Sequence, residues 1–456
     1  MSHIAHTSRL HQLAASLSAA LALCGMDTSA QAATRLVGTC ADTGTGSLRQ
    51  VVGVAASGDT VDLSGLTCST ITLTSGEIVM PQFNITLQGP TNRTVTITSN
   101  SASRILHHTG AAGGSLTVRN LTISNGKYYN ASNDAKGGCI LSSNASVYLI
   151  GSTVTGCRAA IGPTTGASAL GGAIYSAIRT DLNHSAVTGS QAIAAGTGTG
   201  AYGGGIFAAG GFQAGYSVVS GNSAYDSRTG APTTAGAGGI RVHGNLSLID
   251  STVDSNQAQF DGGIMQSSLS ATDTVVVLNS TISGNKATQA GAGGLLVRAG
   301  AGSLMLYNST IAFNSSPSCG GIWSFVSVIA QSSVIANNVT TMSAAGCTAD
   351  LYVGSGNNLS GSHNLIVSSN LGLPDTLTGD PRLTPLANHG GPTRTHALSS
   401  NSSAIDKGNN IGNSGGPLPT DQRGTGFARE VPSGKPDIGA YERQVNDDEI
   451  YYDGFD

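Results

Sequence analysis

Only 10% of this chain is charged, so the few places where acids, bases and cations gather stand out. Arg241 and His243 alternate within Ile240-Arg241-Val242-His243, and Asp250, Asp254 and Asp261 follow in the same stretch. Arg298 stands three places after Leu295, just as His243 stands three after Ile240. A guanidinium that neutralises a carboxylate, an imidazole that takes the neighbouring proton and an acid nearby are what eliminative cleavage of an acidic sugar chain needs. Arg241, His243 and Asp254 are the candidates for that chemistry, with His243 as base. Ca2+ is the one cofactor such a reaction would call for; otherwise none is expected. The plainer reading is that all three residues are solvated, because a strand turns every second side chain outward.

A second gathering lies towards the C-terminus: His389, His396, Asp406, Asp421, Arg423, Asp437 and Glu442. Histidines among acids invite a hydrolytic triad, but charge pairs that close the last turn of the fold and block its open sheet edge account for them better. No metal site is expected, since neither a Cys-x-x-Cys nor a neighbouring Cys/His pair occurs.

The elements that must position these residues are repeats. A small-Gly-small-Ile/Leu motif occurs seven times, at Gly137-Gly138-Cys139-Ile140, Gly171-Gly172-Ala173-Ile174, Gly203-Gly204-Gly205-Ile206, Ala237-Gly238-Gly239-Ile240, Asp261-Gly262-Gly263-Ile264, Ala292-Gly293-Gly294-Leu295 and Cys319-Gly320-Gly321-Ile322. Each is followed by a Ser-x-Val/Ile-x-x-Asn-like segment that starts at Ser152, Ser185, Ser217, Ser251, Ser280, Ser309 and Ser332. The motif Ile or Leu residues are 34, 32, 34, 24, 31 and 27 apart by subtraction. Between them lie short alternating segments rich in Val and Ile, which suit strands, and no long 3.6-residue stripe for helices. Three short strands and three turns fill such a period, so the fold expected is all-β: a single right-handed parallel β-helix of roughly eleven coils stacked ~4.8 Å apart. Gly allows the tight corner before each inward Ile. At another corner the positions Cys157, Ser190, Asn222, Asn256, Asn285, Asn314 and Asn337 can stack and bond from coil to coil.

The 456 residues include 64 Gly, but 39% hydrophobic content in an alternating pattern supplies a core and argues against disorder. A net charge of −4 gives no electrostatic case for nucleic acid or an anionic membrane. Residues 1–32 read as an export leader, with Arg9, the apolar run Leu13 to Leu23 and the cleavage-like Ala30-Gln31-Ala32. No later stretch is long and apolar enough for a transmembrane span. Removing the leader discards Cys24 and leaves six cysteines. Nearest-neighbour pairing gives Cys40–Cys68, Cys139–Cys157 and Cys319–Cys347, separated by 28, 18 and 28 residues.

Along the chain, 34–59 forms an N-terminal cap built on a short helix within 46–56, and 60–372 forms the parallel β-helix. Gly/Ala/Thr inserts at about 158–170, 191–202 and 223–236 protrude from one corner. A region richer in Pro and charge, 373–445, forms an irregular C-terminal closure, and 446–456 is a polar tail. Gly46-Ser47-Leu48-Arg49 with Gly58-Asp59-Thr60-Val61 resembles the start of secreted bacterial right-handed β-helix proteins of the pectin-lyase-like fold. The coil motifs resemble theirs and, more loosely, those of polymorphic outer-membrane proteins. Asn388-His389-Gly390-Gly391-Pro392-Thr393, Ala404-Ile405-Asp406 and Asp437-Ile438-Gly439-Ala440-Tyr441-Glu442 are similar to a choice-of-anchor Q region. The resemblance implies export and a fold, and it implies no reaction. The Gly-His-Gly of galacturonide hydrolases and the Arg-x-Pro-x-x-Arg of pectate lyases are absent.

If each motif Ile points inward, the next residue points outward. Those residues are Leu141, Tyr175, Phe207, Arg241, Met265, Leu296 and Trp323, which would line up as a ridge. Tyr175, Phe207, Arg241 and Trp323 are the candidate ligand-binding residues, since aromatic faces suit sugar rings; the alternative is that the inserts fold over and bury them. The function expected is that of a secreted or surface-held monomer, not an enzyme, which engages extracellular polysaccharide or a cell surface. A polysaccharide lyase is the alternative, and a structural envelope or matrix component a further one.

Overall fold

A computed structural model describes residues 32–444 except 164–165, 196–199, 228–233, 268–269, 299, 301, 343–345, 413–414 and 431–433. The expected leader, apart from Ala32, and the tail 446–456 lie outside the described residues. The alternating segments form short parallel strands, and successive turns of chain stack their strands into three long sheets of 12, 10 and 12 strands. The ten-stranded sheet, here the Gly-Gly sheet, carries Ile140, Ile174, Ile206, Ile240, Ile264, Leu295, Ile322 and Leu351 in one register column. All eight are fully buried. The second sheet contributes Leu149, Leu182, Ala214, Leu248, Val277 and Leu306, and the third contributes Val154, Val187, Val219, Val253, Ile282 and Ile311. Burying one such aliphatic side chain is worth about 2 kcal/mol, so every turn adds its own share to the core. The chain is thus an all-β parallel β-helix, wound in the right-handed sense that parallel crossovers take.

The Gly-Gly motif divides its labour by position. The first residue takes the left-handed conformation, with φ of 60° at Gly137, 68° at Gly171, 64° at Gly203, 60° at Ala237 and 57° at Asp261. At the second position a Cβ would run into the backbone of neighbouring turns, as at Gly172 against the Gly204 carbonyl. The third position faces the stacked polar column at the other corner. Where that column holds Asn222, Asn256 or Asn285, the third residue is Gly205, Gly239 or Gly263, whose Cβ would stand within 3.0 Å of the amide carbon.

That column is a continuous ladder. The backbone N–H of Cys157 donates to the Ser190 hydroxyl, Ser190 to Asn222, Asn222 to Asn256, Asn256 to Asn285, Asn285 to Asn314 and Asn314 to Asn338. The member in this turn is Asn338 rather than the expected Asn337, which instead makes the corner at φ 59°, and Asn338 in turn donates to Asp350. The serine ladder shifts with it: Ser309 donates to Ser333, and Ser332 takes the left-handed corner at φ 48°. Doubled Ser and Asn residues at this coil hid the one-residue offset.

Two further features depart from the sequence reading, and the N-terminal helix and the disulfides follow it. The inserts do not merely protrude. They contain a fourth strand per turn, Arg158–Ile161, Gln191–Ala194 and Ser223–Asp226, in an eight-stranded annex sheet that runs from Lys127–Asn130 to Val339–Thr340. Behind it Ala159, Ala192, Ala224 and Ala258 pack with Ala169 and Ala201 as a separate small core. At the N-terminus the helix Leu48–Val54 forms as expected, capped by the Ser47 hydroxyl and burying Leu48, Val51 and Val52. At the C-terminal end Leu371 and Leu373 pack against the core. The charged segment beyond them does not plug that end. It returns along the third sheet as a strap: Thr252 donates to the Arg394 carbonyl, Asn279 to that of Thr420 and Asn308 to that of Ile411, and Gly439 donates to Ser332. Cys40–Cys68, Cys139–Cys157 and Cys319–Cys347 are all bonded, with Cα separations of 6.3, 5.5 and 5.5 Å.

Candidate functional site

The outward row of the Gly-Gly sheet runs His107, Leu141, Tyr175, Phe207, Arg241, Met265, Leu296, Trp323 and Tyr352, one residue per turn. It is not a uniform exposed ridge. Leu141, Phe207, Met265 and Leu296 are buried, and Met265 and Leu296 pack with Ala237 and Ala292 at the corner. Phe207, expected as a ligand contact, retains only 7% exposure. It is sandwiched by Tyr175, stacked at 5.5 Å between centroids, and by His243, edge-on at 5.2 Å. Tyr175, Arg241 and Trp323 stay half-exposed. Trp323 stacks on the exposed Phe325 at 5.1 Å and meets Tyr352 edge-on at 6.2 Å. Its indole N–H is buried and has no hydrogen-bond partner among the described residues, and the ring packs on the Met265 and Leu296 cluster. The Lys136 ammonium lies 5.1 Å from the Tyr175 ring centre.

Arg241 and His243 share a strand, and the guanidinium Nε donates to the imidazole Nε2 across 3.2 Å. Arg241 also touches the Met265 sulfur and stands over the Tyr202 ring at 5.3 Å. Burial, and then the Arg241 charge, hold His243 below the ordinary imidazole value, so the ring is neutral at pH 7. Asp254 does not join them. It lies on the third sheet with its side chain fully buried, bonded to Ser220 and Ser255 and paired with Arg394 of the strap at 2.6 Å. The grouping Arg241, His243, Asp254 is therefore not assembled, because Asp254, although in the same turn, lies on a different sheet, two strands further round the rod. The acid that does feel Arg241 and Arg298 is Asp261, whose carboxyl burial pushes up to about 6 against the pull of the Ala292 N–H and both arginines. Asp261 sits at the first position of its Gly-Gly motif, and its left-handed corner φ was the signal that would have placed it beside Arg241.

His243 also lines a groove of about 610 Å³ at the corner between the Gly-Gly and second sheets, with Ile178, Arg179, Gln213, Asn245 and Asp273 along its walls. Burial raises the Asp181 carboxyl on the same stretch of the second sheet, although Arg179 pairs with it. Together these side chains offer ring faces, two arginines and a neutral imidazole along one edge of the rod. That set can stack on sugar rings and pair with anionic substituents.

The C-terminal gathering has a different role. Arg423 pairs with Asp421 at 2.7 Å and lies between the Phe427 and Tyr441 rings, 3.9 Å from each. Arg429 is fully buried and donates to Asn279 and to the Asn308 and Gly439 carbonyls. His396 donates from Nδ1 to the Thr384 carbonyl and accepts from Ser283, and burial lowers it to about 4. Glu442 takes the Asp437 N–H. These groups spend their hydrogen bonds holding the strap to the third sheet, without a solvent-facing nucleophile among them. Among the described residues no three His, Cys, Asp or Glu side chains converge as a metal site, and no helix is long and apolar enough to cross a membrane.

No family model matches the chain and no curated protein matches it. Among solved structures it is similar to one described as the crystal structure of pectate lyase Pel9A, with 15% identity and a TM-score of 0.47 over 90% of this chain and 96% of that one. A likeness that distant says nothing of reaction or ligand.

Proposed function

We propose that the protein is an exported, non-catalytic β-helix that engages extracellular polysaccharide along the outward row of its Gly-Gly sheet. The observation that carries this is the placement of Tyr175, Arg241 and Trp323, partly exposed in one register row, with Trp323 stacked on the exposed Phe325. Stacking faces that recur along a rigid rod suit a polymer better than a small molecule. Three disulfides fit an oxidising compartment, and the leader read in residues 1–32 would deliver the chain there. The experiment is affinity electrophoresis through gels that contain individual polysaccharides. Tyr175→Ala with Trp323→Ala should abolish retardation while a cooperative melt and the β-rich circular dichroism spectrum are retained. Retained retardation with a lost fold would leave these side chains as packing alone.

One observation favours a second reading, a polysaccharide lyase. His243 is neutral and adjoins Arg241, so a base and a carboxylate-neutralising cation are in contact. Incubation with acidic polysaccharides, followed in the ultraviolet for unsaturated ends, tests it. Appearance of that absorbance with the wild type and its loss in His243→Ala would replace the binding reading.

A further inference from the structure

The annex sheet carries a second face that the outward row of the Gly-Gly sheet does not use. Its strands place Tyr129, Ala160, Ile193 and Tyr225 in one outward column. The adjacent outward column, two residues back along each strand, runs Lys127, Arg158, Gln191, Ser223, Gln257 and Lys286. Tyr129 and Tyr225 are 55% and 53% exposed, in a chain of which only 5% is aromatic. They stand three rungs apart, ~14 Å, with the low floor of Ala160 and Ile193 between them. Lys127 and Arg158 are exposed on adjacent rungs, ~4.8 Å apart along the column, where like charges repel. Neither forms an ion pair or a side-chain hydrogen bond among the described residues, and the only acid on these strands, Asp226, is buried. Two stacked cations without a carboxylate bonded to them, beside two exposed rings at a regular interval, are not explained by packing: the small Ala core lies on the opposite side of the sheet, and Glu77 in the groove beside Lys127 is paired with Arg104 and His107.

We infer that this face of the annex sheet binds an acidic polysaccharide chain laid along the rod axis. The tyrosine rings would stack on sugar faces, and Lys127, Arg158 and Lys286 would meet anionic substituents along the neighbouring column. Uncharged Gln191, Ser223 and Gln257 between the cations supply hydrogen bonds to hydroxyls. The face lies around the corner from the Gly-Gly sheet, so one molecule can hold two chains and cross-link them. The inference extends the polysaccharide-binding reading but uses none of its residues, so either can fail alone.

The test uses the full mature protein with sodium alginate as the acidic polymer, dextran as the uncharged one and duplex DNA as a polyanion without exposed sugar faces. Two variants are compared with wild type: Lys127→Gln/Arg158→Gln with Tyr129→Ala/Tyr225→Ala for the annex face, and Tyr175→Ala/Trp323→Ala for the Gly-Gly row. The annex variant is expected to bind alginate about tenfold more weakly at low salt, with an unchanged melting temperature since all four side chains lie on the surface. It should also lose the turbidity that wild type produces with alginate. Loss of alginate binding in the Gly-Gly row variant alone would overturn the annex inference and leave the proposed function standing. Loss in the annex variant alone would do the reverse. Equal binding of wild type to duplex DNA and to alginate, undiminished in a third variant with Tyr129→Ala/Tyr225→Ala alone, would reduce the face to a generic cationic patch and overturn the inference as well.

Discussion

Gly263 and Asn285 illustrate how tightly single residues are matched between turns. A Cβ at Gly263 would stand 2.5 Å from the Gly294 carbonyl oxygen and 2.9 Å from the Asn285 amide carbon, whereas turns whose column residue is smaller carry a larger third motif residue: Ala173 in the turn of Ser190, and Cys139, which bonds Cys157. Gly263→Ala should therefore lower stability by about 1–3 kcal/mol. Adding Asn285→Ser should recover part of that loss, because it recreates the Ala/Ser pairing. The urea midpoints of the two variants measure this, and no recovery would break the size rule. Much of this was legible in the sequence, since motif and column covary by size. The single-residue slip to Ser333 and Asn338 was not, because Ser332-Ser333 and Asn337-Asn338 offer two equivalent registers until the corner φ is known. Asp261 was missed as the acid near Arg241 because local spacing made Asp254 look equally close.

Among elements, the strap and the annex were the least legible. Ala-rich strands carry little β-propensity, so the fourth strand of each turn read as loop. The strap's contacts span sequence separations such as the 140 residues between Arg394 and Asp254, which no local pattern encodes. Its buried acids make a pH statement. Burial, reinforced by the Asp437 charge, pushes the Glu442 carboxyl up from 4.5 to about 8. The folded strap holds a proton that the unfolded chain releases near 4.5, so this contribution is fully present below about 4.5 and is lost as pH rises through about 8. Stability followed by denaturant melts should decline across that window, and Glu442→Gln should flatten the decline. An unchanged slope in the variant would assign it to another group. The disulfide Cys139–Cys157 ties the first Gly-Gly turn to the head of the polar column. Closing an 18-residue separation, it should contribute roughly 3 kcal/mol, read as the loss in Cys139→Ser/Cys157→Ser under non-reducing conditions.

For the whole molecule, the three apolar columns were legible because each turn repeats the same inward positions, and the rod follows once those positions are stacked. The amide column has a further consequence. Along it each backbone N–H donates from an earlier turn to a later one, and the series continues past Asn338 to Asp350, which receives from Asn338 and passes its own N–H to the Ser368 hydroxyl. A file of that kind has a fixed head and tail, while its interior members are interchangeable modules. Excising Arg158 to Ser190, one 33-residue step that the strap does not contact among the described residues, should bring the Cys157 N–H against Asn222 and yield a folded molecule shorter by a single storey of ~4.8 Å in solution scattering. Growth by copying interior storeys between two conserved-in-place ends is thus a lineage route that this architecture permits.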